Sequence, residues 1–196
     1  LSVPVDAHVR GEVVMPLAVF EAKYRDVSPN PRNLAAGALR QKHDVGKADA
    51  GDLVFHAYDV RFLPPDEQHP DSAAPPVDDD DDALLVWLKD AGIRPADWTV
   101  HEADTPAEVA QSLIASTHTW TEARSTYPFE IDGVVYKVTS RQHREQLGMT
   151  AHHPRWALAW KFPPEEAVSV LLAVDWQTGR TGAVTPVARI APQVVA

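Results

Sequence analysis

The sequence of 196 residues has no cysteine. Disulfides and thiolate metal sites are therefore excluded, and the composition fits a reducing cytosol. Long apolar runs are missing too. The longest is far too short to span a bilayer, and no signal peptide is visible, so no membrane association is expected. There is no internal repeat, which argues against a solenoid or a propeller. Positive charge is scarce: 18 Lys and Arg stand against 28 Asp and Glu, a formal net charge of −10. Taken alone, that balance argues against a nucleic-acid partner, which attracts basic surfaces.

What is present allows one good-sized core, or one domain and part of another. The charge is uneven. Residues 78–82 are an unbroken run of Asp, and residues 64–76 hold five prolines and several acids. Residues 25–47 and 137–155 are rich in Lys, Arg and His, so an acidic total can hide a basic face. Both ends read as cuts through a longer chain. Residue 1 is Leu, and the last residues stop in an apolar stretch.

Residues 8–16 read as a strand closed by Pro16. Residues 17–26 have helical spacing, with Leu17, Phe20 and Tyr24 on one face. Ser28-Pro29-Asn30-Pro31 is a turn cluster, and residues 33–41 suit a short helix. Residues 53–60 are rich in β-formers, and 64–77 read as a loop. A helix over 82–90 would bury Leu84, Leu85 and Leu88 and end on Gly92. The acidic run before it is read as a solvated helix N-terminus, where carboxylates suit the macrodipole, rather than as a metal or protein contact. Thr105-Pro106-Ala107-Glu108 has the form of a capping box, opening a helix towards Arg124. Strands are expected over 129–138, 156–162, 168–176 and 183–190. Strands mixed with helices, without a regular βαβ repeat, predict an α+β fold.

Four segments combine charge with strand context. Glu12 lies on the first strand, Asp132 and Lys137 on another, Lys161 on a third, and Arg180 in a glycine turn at residues 179–182. A lysine in an apolar strand is costly to bury unless it meets an anion, and phosphate is a frequent one. A nearby carboxylate could hold a divalent metal that bridges phosphate oxygens. Each lysine taken alone is equally well half of a structural ion pair. Asp132 and Lys137 are five residues apart, so an unbroken strand would put them on opposite faces. Asp132-Gly133 is a natural place for a bend or bulge.

Read in order, VRGEVVMP, NPRNLAAGALRQ, FHAYDV, FEIDGVVYKV, PRWALAWKFPPEE and QTGRTGAVTPVARI resemble the adenylation domain of bacterial NAD⁺-dependent DNA ligases over nearly the whole chain. The resemblance implies a nucleotidyltransferase domain of mixed antiparallel sheets with flanking helices over residues 1–164. The first strands of an OB-fold would follow over 165–196. It implies that Glu12 binds the adenosine ribose and that Tyr58 stacks on adenine. Asp132 would hold metal or order the phosphate surroundings. Lys137 would contact base edge or phosphate, and Lys161 the α-phosphate. Arg32 and Arg40 would lie near the DNA strand at the nick, and Arg180 with its glycine turn would approach the DNA backbone. Implied cofactors are NAD⁺ through its AMP moiety and Mg²⁺ or Mn²⁺, with zinc confined to a C-terminal part not present here. Implied partners are nicked duplex DNA and NAD⁺, and the parent enzyme would be a monomer in the bacterial cytoplasm, associated with the nucleoid.

The departures from the family are as telling. The family's nucleophile is the lysine of a Lys-x-Asp-Gly motif upstream of the strand that carries Glu12, and no such motif occurs in these residues. Lys47-Ala48-Asp49-Ala50 and Lys89-Asp90-Ala91-Gly92 do not match it. Asp59 stands where a glycine is common, and Trp160 where a tyrosine is usual. The expectation is a ligase fragment that does not catalyse alone. The alternatives are a non-catalytic nucleotide- or DNA-binding module, and an ATP-dependent ligase or capping-type nucleotidyltransferase of the same fold.

Overall fold

The computed structural model describes residues 6–40, 48–63, 80–164 and 166–193. The expected loop over 64–77, together with Asp78, Asp79 and residues 41–47, lies outside them. The chain divides into two compact units, Leu1–Lys161 and Phe162–Ala196.

The first unit contains two antiparallel ladders and five α-helices among the described residues. Strand β1 (Ala7–Val14) pairs with β2 (Val54–Phe62), and β3 (Gly133–Lys137) pairs with β4 (Ala157–Lys161). The helices are α1 (Leu17–Lys23), α2 (Pro31–Leu39), α3 (Asp81–Asp90), α4 (Pro106–Ala123) and α5 (Arg141–Leu147).

Capping chemistry sets most helix starts. Asn30 caps α2 by accepting the Asn33 N–H at 2.8 Å, and Pro31 takes the first helical position, where a missing N–H is harmless. The sequence had suggested that this proline belonged to a turn cluster. Thr105 and Glu108 form the expected capping box of α4. Gly92, with φ of +81°, follows the end of α3 as anticipated.

Two small cores anchor this unit. Met15, Phe20, Leu34 and Ala35 are buried together, with Tyr24 packed against them. Ala57, Val60, Leu84, Leu85 and Leu88 form the other, between β2 and α3. Each fully buried Leu contributes about 1.5–3 kcal/mol.

The bulge in the first ladder explains an oddity of β2. Arg10 lies opposite Asp59 and Gly11 opposite Ala57, so Tyr58 is the extra residue. That insertion shifts the phase of the strand. Ala57 and Val60, three apart, both turn inward. Gly11 is required there, because a Cβ on it would come within 2.3 Å of the Phe55 ring and 2.5 Å of the His56 carbonyl oxygen.

The second unit is a hairpin of β5 (Leu171–Thr178) and β6 (Val184–Ile190). Its turn closes with Gly179 N–H donating to the Ala183 carbonyl at 2.8 Å, and Gly182 adopts φ of +82°. Pro186 is tolerated because both strands of a two-stranded sheet are edges.

Candidate functional site

The strand over residues 129–138 is shorter than expected: β3 begins at Gly133. A Cβ on Gly133 would lie 2.2 Å from the Trp160 carbonyl oxygen, so only glycine permits this backbone approach. Asp132 is therefore outside the ladder, and its carboxylate turns to Lys161 at 3.9 Å.

Gly133 lies opposite Lys161, and Lys137 opposite Ala157. Directly paired residues share a face, as do residues two and four apart along a strand. Lys137 and Lys161 thus share one face of the β3–β4 ladder. They stand at opposite ends, about 13 Å of strand rise apart. Val135 and Ala159 lie between them on that face, paired and exposed. The opposite face carries Val134, Tyr136, Leu158 and Trp160. Tyr136 reaches α4 through its hydroxyl, 2.7 Å from that of Thr117.

Around Lys161 the charges are open to solvent. Arg32, in the first turn of α2, lies 3.7 Å from Glu12 and 3.6 Å from Asp132. All four side chains of this group are well exposed. Loose exposed pairs of this kind contribute roughly 0–1 kcal/mol each. They do not hold the fold together, so their cations can be given up to an incoming anion. Arg40 is exposed and bonds back to the Ala36 carbonyl of its own helix.

Around Lys137 the charges are withdrawn. Its ammonium donates to the Tyr58 carbonyl at 2.9 Å, lies 3.7 Å from Asp81 and sits 5.5 Å from the centre of the Tyr58 ring. Burial pushes its pKa down, while Asp81 opposes the shift. The bulge at Tyr58 presents both that carbonyl and an exposed ring.

The acidic run does more than solvate a helix end. Asp81 is buried, 7% exposed, and accepts from Arg144 at 2.8 Å. Arg141 bridges Asp59 at 2.7 Å and Asp81 at 3.5 Å. Asp82 accepts from the Trp98 indole at 2.6 Å. Among the described residues of the run, Asp80 plays the expected part, capping α3 through the Asp82 N–H. Composition could not separate these neighbours, because burial of Asp81 depends on α5, which was not anticipated from the sequence.

No group of three His, Asp or Glu side chains suited to a metal occurs among the described residues. Asp132 offers one carboxylate, already facing two cations. These residues do not by themselves make a divalent-ion site. Arg180 lies in the separate hairpin unit and is exposed.

Comparison with known proteins shows the family of the chain. The family described as "NAD-dependent DNA ligase adenylation domain" matches residues 1–165. The chain belongs to that family. A protein named DNA ligase from Shouchella clausii is 40% identical over 205 residues, covering 100% of this chain and 28% of the relative. DNA ligases of Psychrobacter arcticus and Psychrobacter cryohalolentis are 40% and 41% identical, each covering 94% of the chain and 25% of the relative. The adenylation-domain chain thus spans about a quarter of the length of these relatives. No described helix is long and apolar enough to cross a membrane.

Proposed function

We propose that this adenylation-domain chain supplies the adenosine-phosphate site of an NAD⁺-dependent DNA ligase that seals nicks in duplex DNA. The observation that carries the reading is the shared face of Lys137 and Lys161, with Val135 and Ala159 between them. A cation at each end of a small apolar floor suits a nucleotide, which is flat and apolar at one end and anionic at the other. Tyr58 would stack on the base and Glu12 would bind the ribose. Lys137 would meet the base side, and Lys161, with Arg32 beside it, the α-phosphate. Asp132 would orient Lys161 and Arg32 between ligand encounters.

The whole enzyme would act on NAD⁺ and a DNA nick as a cytoplasmic monomer. Arg32, Arg40 and Arg180 would contact DNA phosphates. Residues 165–196 would open an OB-fold, with 1–164 as the nucleotide domain. These residues hold no Lys-x-Asp-Gly, so we infer that alone they bind adenylate without becoming adenylated. The catalytic part of Lys161 and Lys137 is to fix phosphate and base while charge develops at the phosphorus.

The test is AMP titrated calorimetrically into the 196-residue chain. Lys161→Ala should weaken binding by about tenfold, the loss of one charge-assisted contact. Lys89→Ala, on the exposed face of α3, should leave binding unchanged. Equal affinities of the two variants would contradict the assignment.

A further inference from the structure

Lys137 is the one lysine of the site with a crowded surrounding. Its side chain is 24% exposed, against 80% for Lys161. Three elements converge on it. From β2 come the Tyr58 carbonyl and Asp59, from α3 comes Asp81, and from α5 come Arg141 and Arg144.

Asp81 is the hub. Its backbone N–H donates to the Thr139 carbonyl at 3.2 Å, fastening the start of α3 to the turn after β3. Its carboxylate accepts a hydrogen bond from Arg144 Nη1 at 2.8 Å, and Arg144 Nη2 lies 2.6 Å from it as an ion pair. Arg144 is held from two further sides: it donates to the Val138 carbonyl, and its guanidinium lies 4.6 Å from the centre of the Trp156 ring. Arg141 ties Asp81 to Asp59. A carboxylate fixed by two arginines at this depth has little freedom to move, and removing one partner of such a buried set leaves charge uncompensated.

Geometry gives the set a direction. Tyr58 stands at the bulge, where its position depends on one unpaired residue. Lys137 bonds the carbonyl of that residue, and the Asp81 carboxylate lies 3.7 Å from its ammonium. We propose that Asp81 is a positioning residue that holds the Lys137 ammonium on the Tyr58 carbonyl, so that lysine and aromatic ring meet the nucleotide as one preassembled unit. The role rests on the nucleotide-site reading above. Preassembly removes the cost of ordering a long, flexible side chain when ligand binds.

The experiment compares the wild-type 196-residue chain with Asp81→Asn, Asp81→Glu and Asp82→Asn. Two quantities are read. One is the midpoint of Lys137 titration, from pH-dependent acylation of its amine followed by peptide mass spectrometry. The other is AMP affinity. Asp81 and Asp59 raise the Lys137 midpoint, while burial, Arg144 and Arg141 lower it. Asp81→Asn should therefore shift the midpoint down and weaken AMP by about tenfold. Asp81→Glu should recover part of both. Asp82→Asn, which serves Trp98 on the same helix turn, should alter neither.

An unchanged Lys137 midpoint in folded Asp81→Asn overturns the proposal. Should that variant fail to fold, Asp81→Glu is read instead. It keeps the charge but displaces the carboxylate, so midpoint and AMP affinity should both fall part of the way, and wild-type values of both overturn the proposal. If Asp81→Asn shifts the midpoint but AMP does not bind the wild-type chain, the nucleotide-site reading is overturned and the Asp81–Lys137 coupling stands.

Discussion

His56 shows how much one residue can carry unseen. It lies opposite Glu12 in the β1–β2 ladder yet is buried, and its ring meets Phe129 edge-on at 4.8 Å. Its Nε2 atom is buried without a hydrogen-bond partner. Burial pushes the imidazole pKa down, with Arg94 adding to the effect. Because the folded value lies below the unfolded one, the contribution of neutral His56 is complete above about pH 6.5. It is lost as pH falls through that value towards the folded one, because the unfolded chain gains the proton first. His56→Phe should therefore lose less Tm than wild type between about pH 7.5 and 5. Melting curves at the two pH values check this, and an equal loss in both proteins would contradict it. Nothing in the sequence marked His56, which stands in an alternating strand as an ordinary outward residue would. Its burial comes from Phe129, a tertiary contact that the strand pattern does not show. Glu12, Tyr58, Lys137 and Lys161 stand out in the sequence because ordered motifs contain them, whereas Asp81 does not, because its contacts are with partners more than 55 residues away.

At the scale of elements, local chemistry was readable and lengths were less so. The capping box of α4 and the leucine face of α3 follow from side chains that act within one turn. Helix α5 escaped notice because its seven residues carry little apolar periodicity and are held through Arg144 rather than through a greasy face. The expected bend at Asp132-Gly133 takes the form of a strand start, which solves the facing problem differently. Asp132 leaves the ladder, and the two lysines, not Asp132 and Lys137, share a face. This makes Gly133 the critical residue of the β3–β4 ladder. Gly133→Ala should destabilise by about 1–3 kcal/mol, the range for forcing atoms into a filled space. Gly37→Ala, inside α2 with nothing within 4 Å of the added Cβ, should be neutral or stabilise by up to about 1 kcal/mol. Urea denaturation of both variants provides the measurement, and equal changes would show that the close approach at Trp160 does not matter.

For the whole molecule, charge dominates. The net charge of −10 opposes DNA, while Arg32, Arg40 and Arg180 are exposed and able to meet phosphates. Binding of the chain to nicked duplex should therefore be weak. It should fall steeply between roughly 50 and 200 mM salt, as counterion release requires. Tight, salt-insensitive binding in a titration would instead favour a stand-alone binding module. Apolar side chains of the hairpin, Trp176 at 69% and Leu172 at 61% among them, are open to solvent. The central claim is narrower: adenylate binds on the Lys137–Lys161 face. A rival location exists, a cavity of about 390 Å³ lined by Lys89, Ile93, Arg94, Asp97 and Trp98 at the far end of α3. Photolabelling the chain with an azido-AMP probe, with unlabelled AMP as competitor, separates the two. Competable label on peptides carrying Tyr58, Val135 or Lys161 is the expected result. Label confined to the peptide carrying Ile93 and Trp98, or to the hairpin, would contradict the account.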